Sequence, residues 1–248
     1  MIFIAKQLVI HNLSVSYHGK LAVDNASFSI DTGAVTGLIG PNGAGKSTLM
    51  AAMLGLVKAQ QGTVSFDGQP LEQVRKHIAY VKQKNDHDLT FPIQVKDVVM
   101  MGLYHHQGFF KYATALHKQK VQQALAQVEM EAYAKTQISQ LSGGQLQRVF
   151  MAQVIAQDPQ YIFLDEPFAA IDASSERKII GLLKHMSQQG KTIVMVHHDL
   201  SKVIDYFDQV VLLNQTVYAY GDTATTFTKE RVLATFNDPV LAILQEGL

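Results

Sequence analysis

The N-terminal part of the chain alternates apolar and polar residues with the period of a β-strand. Residues Gln7–Tyr17 alternate in this way. The positions expected to face a core are Leu8, Ile10, Leu13 and Val15. A second strand-like run covers Ala22–Ile30, and a short apolar run over Ala34–Ile39 suits a buried strand. The pattern therefore predicts three strands before residue 40.

Beyond residue 40, helical and strand-like patterns alternate. The predicted helices are Lys46–Leu54, Val95–Met101, His117–Met130, Gly144–Gln157, Ser174–Gln188 and Leu200–Phe207. The predicted strands are Thr63–Phe66, Ile78–Val81, Tyr161–Leu164, Thr192–Val196 and Gln209–Leu213. Strands that alternate with helices imply an α/β fold whose mostly parallel sheet is covered on both faces. Strand signals are scarce between residues 84 and 140, which indicates an inserted helical subdomain.

Composition narrows the functional classes. The chain has 248 residues, 21 basic and 21 acidic side chains, and no cysteine. A disulfide scaffold, a thiolate metal site and a cysteine nucleophile are therefore excluded. The zero net charge gives no electrostatic footprint for nucleic acid, so no nucleic-acid partner is expected. No apolar run approaches a membrane span, and Met1–Ile10 shows no cleavage site, so we expect a cytoplasmic protein.

A glycine-rich loop lies between a predicted strand and a predicted helix. Its sequence matches G-x-x-x-x-G-K-[ST], the phosphate-binding loop (P-loop) pattern, and its context is the one that this pattern requires. Glycines let successive N–H groups turn inward, and the helix N-terminus adds partial positive charge. The candidate nucleotide-binding residues are Gly40, Asn42, Gly43, Ala44, Gly45, Lys46, Ser47 and Thr48. Lys46 suits the β- and γ-phosphates, and the Ser47 hydroxyl suits Mg²⁺.

Two further segments carry candidate chemistry. The apolar run Tyr161–Leu164 ends in Asp165 and Glu166, which is unusual for a buried strand unless the acids face a cation or water. In P-loop nucleotidases the first acid supports Mg²⁺, and the second could polarise the attacking water. Ser142 is a good N-cap for the helix that follows the sequence Leu-Ser-Gly-Gly-Gln (141–145), whose glycines expose backbone N–H groups. This segment, called the signature loop here, predicts a second anion-binding helix start.

These motifs, in this order over residues 7–222, resemble the nucleotide-binding subunit of ATP-binding-cassette (ABC) transporters. The resemblance implies the ABC-ATPase variant of the P-loop NTPase fold. That fold has a mostly parallel core, an antiparallel N-terminal β-subdomain and a helical subdomain at about 84–157. Residues 1–222 would form this ATPase domain, and residues 223–248 a short helical appendix. The implied substrate and cofactor are ATP and Mg²⁺.

The resemblance also implies roles for single residues. Tyr17 matches the aromatic residue that stacks on adenine. Gln83 matches the glutamine that links the γ-phosphate and Mg²⁺ to the helical subdomain. Asp165 matches the metal-supporting acid, Glu166 the catalytic base, and His198 the switch histidine at the γ-phosphate. The signature residues Ser142, Gly143, Gly144 and Gln145 match those that bind ATP across a dimer, and Asp172 matches the aspartate of the loop that crosses it.

Partners follow from the same resemblance. The signature loop of one copy closes on ATP held by Lys46 of a second copy, which gives a head-to-tail homodimer. A membrane permease docks on the helical subdomain, and a solute-binding protein takes part indirectly. The ATPase would lie peripherally on the cytoplasmic face of the inner membrane. The alternatives are a non-transport ABC ATPase and an ABC ATPase for a different solute.

The segment after Gln83 resembles the import ATPases for free or chelated transition metals, in the manganese, zinc and iron group. It carries Phe91-Pro92-Ile93, followed by Val95-Lys-Asp-Val-Val-Met-Met-Gly102. Manganese is favoured over zinc or iron. The chain departs from the group at Lys82-Gln83-Lys84, at Leu103 and in having no tryptophan. The histidine pairs 105–106 and 197–198 are interpreted as scattered surface and loop histidines rather than as a metal site, since adjacent side chains point apart and seldom chelate one ion.

Overall fold

The computed structural model describes residues 7–82, 92–104, 114–168 and 171–237. The backbone divides into two compact units. The first unit comprises Met1–Arg75 and Ser187–Leu248, and the second comprises Lys76–Met186. Each unit contains its own paired strands and its own helices.

The secondary structure mixes strands and short helices along the whole described chain. The strands are β1 (Gln7–Tyr17), β2 (Lys20–Asp31), β3 (Val35–Ile39), β4 (Gln61–Phe66), β5 (Gln69–Pro70), β6 (Ile78–Val81), β7 (Tyr161–Asp165), β8 (Thr192–His197), β9 (Gln209–Asn214) and β10 (Thr216–Asp222). The α-helices are α1 (Lys46–Met53), α2 (Leu71–Val74), α3 (Val95–Met101), α4 (Ala115–Gln127), α5 (Gly143–Gln157), α6 (Ala173–Gln188), α7 (Val203–Tyr206), α8 (Thr223–Thr226) and α9 (Lys229–Phe236). Short 3₁₀ turns cover Arg75–His77, Glu131–Tyr133, Ile138–Gln140 and Leu200–Lys202. None of these described helices has the length and apolarity needed to cross a bilayer.

An antiparallel sheet in the first unit has the strand order β2-β1-β4-β5. The four β1 residues predicted to face the core are all buried. Their spacing changes from two to three residues between Ile10 and Leu13, where the pairing with β2 shifts register. Asn12 takes a left-handed backbone there (φ 49). A β-bulge of this kind returns the next side chain to the buried face, so both halves of β1 contribute to the core.

Parallel strands form the other sheet of the first unit. Strand β3 pairs in parallel with β8 on one side and β9 on the other, and β10 adds antiparallel to β9. Every residue of β3 is buried, as expected for a parallel strand flanked on both edges. In the register of β3 and β8, Ile39 lies opposite His197. The segments that follow these two strands therefore begin at the same edge of the sheet.

The second unit pairs β6 with β7 in parallel, with Ile78 opposite Tyr161. Helix α5 packs against α3 and α4. Val149 and Met151 of this helix are fully buried. The Gln157 side-chain amide donates to the Ile78 carbonyl at 2.8 Å, which ties the end of α5 to β6.

The predicted core elements agree with the structure, and the differences have local causes. Helix α4 ends at Gln127, three residues before the predicted end, because Glu129 takes a left-handed backbone (φ 56) that no helix continues. The predicted helix at Leu200–Phe207 begins as a 3₁₀ turn before α7. Strand β10 and the short helix α2 are not among the predicted elements, whereas α8 and α9 lie within residues 223–248, where the sequence predicts a short helical appendix.

Candidate nucleotide-binding site

The predicted phosphate loop connects β3 to α1 in the first unit. Two of its glycines are required by crowding. A Cβ on Gly40 would lie 1.9 Å from the Leu213 carbonyl oxygen, and one on Gly45 would lie 2.2 Å from that of Ala22. Gly45 also has a left-handed backbone (φ 90) at the N-cap of α1. The loop therefore packs directly onto neighbouring strands, which fixes its curl before any ligand is considered.

Lys46 opens α1 and is 6% exposed. Its Nζ donates to the carbonyls of Gly40 and Pro41, each at 2.8 Å, so the ammonium is held over the loop. The first turn of α1 contains no acidic residue, which leaves the positive end of the helix dipole uncompensated. Ser47, Asn42 and Gly43 are exposed on this loop, Thr48 is half-buried, and Ala44 is buried beneath it. A buried cation, a helix N-terminus and an accessible hydroxyl together suit the phosphates of a nucleotide.

Tyr17 lies at the end of β1, at the tip of the β1–β2 hairpin, where it pairs with Lys20. Its side chain is 46% exposed, although most tyrosines on strands bury the ring against a sheet. The ring is therefore accessible for stacking on a base. The first unit contains both Tyr17 and the phosphate loop.

His198 follows β8 at the same edge of the parallel strands as the phosphate loop, and it is exposed. His197, one residue earlier, is 4% exposed. The His197 ring centroid lies 5.6 Å from that of Phe207 and 5.8 Å from that of Tyr206. The two adjacent histidines thus occupy different environments, and His198 is the one available to a ligand.

Asp199 ends the strand and starts the next turn. Its Oδ1 accepts from the Ser201 backbone N–H at 3.1 Å and from the Ser201 hydroxyl at 2.6 Å. The Ser201 hydroxyl is the main reason that the pKa of Asp199 lies below its ordinary value. This ionised cap fixes the backbone immediately after His198.

The two predicted acids lie at the end of β7 in the second unit. All five residues of β7 are buried, and Asp165 is 5% exposed. Glu166 is half-buried and has a left-handed backbone (φ 47). Glutamate seldom adopts this conformation, which costs about 1–3 kcal/mol and is found most often where function demands it.

The signature loop starts α5 in the second unit through a reciprocal cap. The Gln145 backbone N–H donates to Ser142 Oγ at 3.3 Å, and the Ser142 N–H donates to Gln145 Oε1 at 2.9 Å. Such a capping box satisfies two helix-terminal donors with side chains. Gly143 and Gly144 lie between the two capping residues and are half-buried. No acidic residue occupies the first turn of α5, so this N-terminus also favours an anion.

Asp172 caps α6. Its Oδ1 accepts from the backbone N–H groups of Ser174 (3.0 Å) and Ser175 (2.9 Å), and its Oδ2 accepts from the Ser175 hydroxyl at 2.8 Å. The Ser175 backbone and hydroxyl are the main reasons that the pKa of Asp172 lies below its ordinary value. The side chain of Asp172 is thus engaged within its own chain.

Gln83 lies outside the described residues, as do the histidine pair at 105–106 and most of the segment 85–93. The other predicted site residues belong to two groups. The first unit contains the phosphate loop, Tyr17 and His198, and the second contains Asp165, Glu166, Asp172 and the signature loop. Across the described part of the chain, three or more His, Cys, Asp or Glu residues nowhere cluster as metal ligands.

Ser175, which supports Asp172, is not among the residues predicted from the sequence. Ser175 is 8% exposed and bonds Asp172 through both its backbone and its hydroxyl. The sequence does contain a signal, since an N-cap aspartate followed three residues later by a polar side chain is a capping pattern. That signal shows which residues cap the helix, but not that the cap lies against the signature loop.

Comparison with known proteins assigns the family. The family model described as ABC transporter matches residues 23–169. A manganese transport system ATP-binding protein, MntB of Listeria innocua, is 49% identical over 94% of this chain and 97% of its own length. A zinc transport system ATP-binding protein, TroB of Treponema pallidum, is 40% identical over 95% of this chain and 88% of its own length.

Solved structures give the same family. An ABC transporter described as being of the metal-chelate type, in an inward-facing conformation, has a TM-score of 0.82 with 29% identity, covering 94% of this chain and 90% of its own. A dimeric bacterial ABC transporter cassette has a TM-score of 0.76 with 26% identity, covering 87% of this chain and 98% of its own. The loop, the strand-end acids and the capped signature loop are thus parts of an ABC ATPase fold, and the chain belongs to the ABC transporter family of ATP-binding proteins.

Proposed function

We propose that this chain is the ATP-hydrolysing subunit of an importer for transition-metal ions, with manganese favoured over zinc and iron. The observation that carries the proposal is a complete phosphate loop with its lysine held in place, in a chain 49% identical to a manganese transport ATP-binding protein. The relative named for zinc is less similar, at 40% identity, which supports manganese.

ATP binding would begin at the phosphate loop. Lys46 neutralises charge on the β- and γ-phosphates, and the backbone N–H groups at the start of α1 add to it. Tyr17 stacks on the adenine ring, and stacking of this kind accepts any flat base. The exposed face of Tyr17 and the buried ammonium of Lys46 support this division of roles.

The residues suit Mg²⁺ by the chemistry of their donors. Ser47 offers an exposed hydroxyl, Asp165 a buried carboxylate, and Gln83 an amide oxygen; hydroxyl and carbonyl-type oxygens are the ligands that Mg²⁺ takes beside nucleotide phosphates. When bound, the ion would neutralise charge on the phosphates.

Hydrolysis would be an in-line attack of water on the γ-phosphorus. Glu166 orients and polarises the water, and its left-handed backbone supports this role because strain is retained where a side chain must point in one direction. His198 contacts the γ-phosphate, and the buried His197 anchors the backbone just before it. Positioning and charge neutralisation supply most of the rate in phosphoryl transfer.

Transport would require two copies of the chain and a permease. In the proposed head-to-tail dimer, Ser142, Gly143, Gly144 and Gln145 of one copy bind the ATP held by Lys46 of the other. The two glycines at the start of α5 support close approach of a ligand to this loop, and the dimeric cassette structure supports the assembly. Residues 84–157 would form the helical subdomain on which the permease docks at the inner face of the membrane, and Gln83 would pass the motion of the dimer to this subdomain. Residues 223–248 would form the C-terminal appendix.

Mixing two inactive variants tests the head-to-tail arrangement. Lys46→Ala destroys the phosphate loop of one copy, and Ser142→Arg blocks the signature loop of another. A mixed dimer keeps one intact site, built from the wild-type phosphate loop of one variant and the wild-type signature loop of the other. Single-turnover hydrolysis should return on mixing, while a mixture as inactive as its parts would contradict the proposed dimer.

Metal specificity is tested by competition. Cells expressing the wild-type chain should take up radioactive manganese under metal limitation, and excess unlabelled manganese should suppress that uptake more than excess zinc or iron. Equal suppression by zinc would overturn the preference for manganese. Uptake that is unaffected by Lys46→Ala would overturn the role in metal import.

A further inference from the structure

The signature loop lies beside the side chains that cap α6. A Cβ built on Gly144 would lie 3.3 Å from Ser175 Oγ and 3.4 Å from Asp172 Oδ2. The first distance is tighter than most real contacts and the second is ordinary van der Waals contact, so there is room for little more than a methyl group between the Gly144 backbone and these two side chains. Gly144 belongs to the capping box closed by Ser142 and Gln145, which determines the shape of the loop but not its place on the second unit.

The position of the Asp172 carboxylate depends on the Ser175 hydroxyl. Asp172 Oδ1 is held by two backbone N–H groups, whereas Oδ2, the atom that faces Gly144, is held by Ser175 Oγ at 2.8 Å. Ser175 is buried while Asp172 is exposed. The hydrogen bonds hold the pKa of Asp172 below its ordinary value, so the carboxylate stays ionised at neutral pH. One buried hydroxyl therefore fixes the carboxylate oxygen against which the loop packs.

We propose that Ser175 is a positioning residue for the signature loop: through Asp172 Oδ2 it holds Gly144 in the place from which the loop binds the ATP of a second copy. The inference rests on the proposed function, because it assumes that the loop acts across a dimer. Without the hydroxyl, Oδ2 loses its partner and the carboxylate turns about its remaining Oδ1 bonds. The loop then samples a wider range of positions, and ATP-driven association weakens.

The affinity of a single copy for ATP provides a control for this effect. Lys46 and Tyr17 lie in the first unit, so ATP binding to a single copy should not depend on Ser175. A positioning role thus predicts weaker association of two copies with unchanged affinity of one copy for ATP. A general loss of folding would lower both.

The variants are compared in a Glu166→Gln background, which retains ATP without turnover. Ser175→Ala deletes the hydroxyl, and Ser175→Thr retains it. Ser174→Ala is the matched control, because Ser174 is exposed and contributes its backbone N–H rather than its hydroxyl to Asp172. Sedimentation velocity gives the ATP concentration for half-maximal dimer formation. A fluorescent ATP analogue, at protein concentrations too low for association, gives the affinity of a single copy.

Ser175→Ala should raise the ATP concentration for half-maximal dimerisation by about fivefold, the effect of losing one hydrogen bond of average strength, because the hydroxyl acts on the loop only through Asp172. Ser174→Ala should leave that concentration unchanged, Ser175→Thr should restore it, and single-copy affinity should be the same in all. The inference is overturned if Ser175→Ala dimerises like Ser174→Ala, or if it lowers single-copy affinity to the same extent. If Glu166→Gln itself stays a single copy while binding ATP, the proposed dimer fails first.

Discussion

Replacing Gly37 by alanine should strain the region behind the switch histidine. Gly37 lies in β3, and a Cβ there would lie 2.9 Å from both Cγ and Cδ2 of Phe207. Ordinary van der Waals contact begins at 3.4 Å, so the Phe207 ring would have to move by about 0.5 Å. That ring packs against buried His197, which precedes His198.

The cost follows from the packing around the ring. Phe207 is 3% exposed and its centroid lies 6.3 Å from that of Tyr206, so it has little room to retreat. Overpacking a buried site by one methyl group costs about 1–3 kcal/mol. We expect Gly37→Ala to lower the free energy of unfolding by that amount. ATP turnover should also fall, because His197 and His198 move with the ring, while ATP affinity should change less.

Urea denaturation and steady-state ATP hydrolysis measure the two effects. Gly181→Ala is the control, because Gly181 is exposed on α6 and a methyl group there would meet none of the described atoms within 4 Å. Alanine in place of glycine in a helix should stabilise the protein by about 1 kcal/mol. A double variant with Phe207→Leu should recover part of the Gly37→Ala cost, because the smaller side chain leaves room for the methyl group.

Unfolding of Gly37→Ala at the same urea concentration as the wild type would contradict the predicted strain. So would simple addition of the stability costs of Gly37→Ala and Phe207→Leu, since additivity would mean that the new methyl group and the ring do not meet.

Substitutions at three other residues test separate parts of the site. Lys46→Ala should weaken ATP binding about 10–100-fold, the loss of a charge-assisted contact, and unchanged affinity in equilibrium dialysis would refute its role. Tyr17→Ala should raise KM for ATP about tenfold, whereas Tyr17→Phe should leave KM near the wild-type value, since stacking needs only the ring. Asp172→Asn should make the free energy of unfolding less dependent on pH in the acid range. The depressed pKa of Asp172 contributes stability that is complete above a pH of about 4 and is lost as pH falls through the lower folded pKa. Thermal unfolding that keeps the wild-type pH dependence in Asp172→Asn would exclude this contribution.

The sequence alone predicts those parts of this protein whose structure is determined by consecutive residues. The glycine loop, the strand-end acids and the capped signature helix are contiguous patterns, and α3 begins and ends at the predicted residues. Buried strands such as β3 and β8 are recognisable in the sequence as short apolar runs. For these elements, local pattern and tertiary environment favour the same structure.

Contacts between distant segments could not be predicted in this way. The crowding of Gly37 by Phe207 joins residues 170 positions apart, and the packing of Gly144 on Ser175 depends on how two helices approach each other. The left-handed backbone of Glu166 is also invisible in the sequence, because glutamate is an unusual residue for that conformation. Strain and close approach are set by the fold as a whole.

The most direct test of the proposed function is the metal content of living cells. Manganese, zinc and iron are measured by mass spectrometry under metal limitation, in cells whose only copy of this chain is wild type, Glu166→Gln or the control Gly181→Ala. The account predicts that manganese falls selectively with Glu166→Gln and stays at the wild-type level with Gly181→Ala. Unchanged levels of all three metals with Glu166→Gln would contradict a role in metal import.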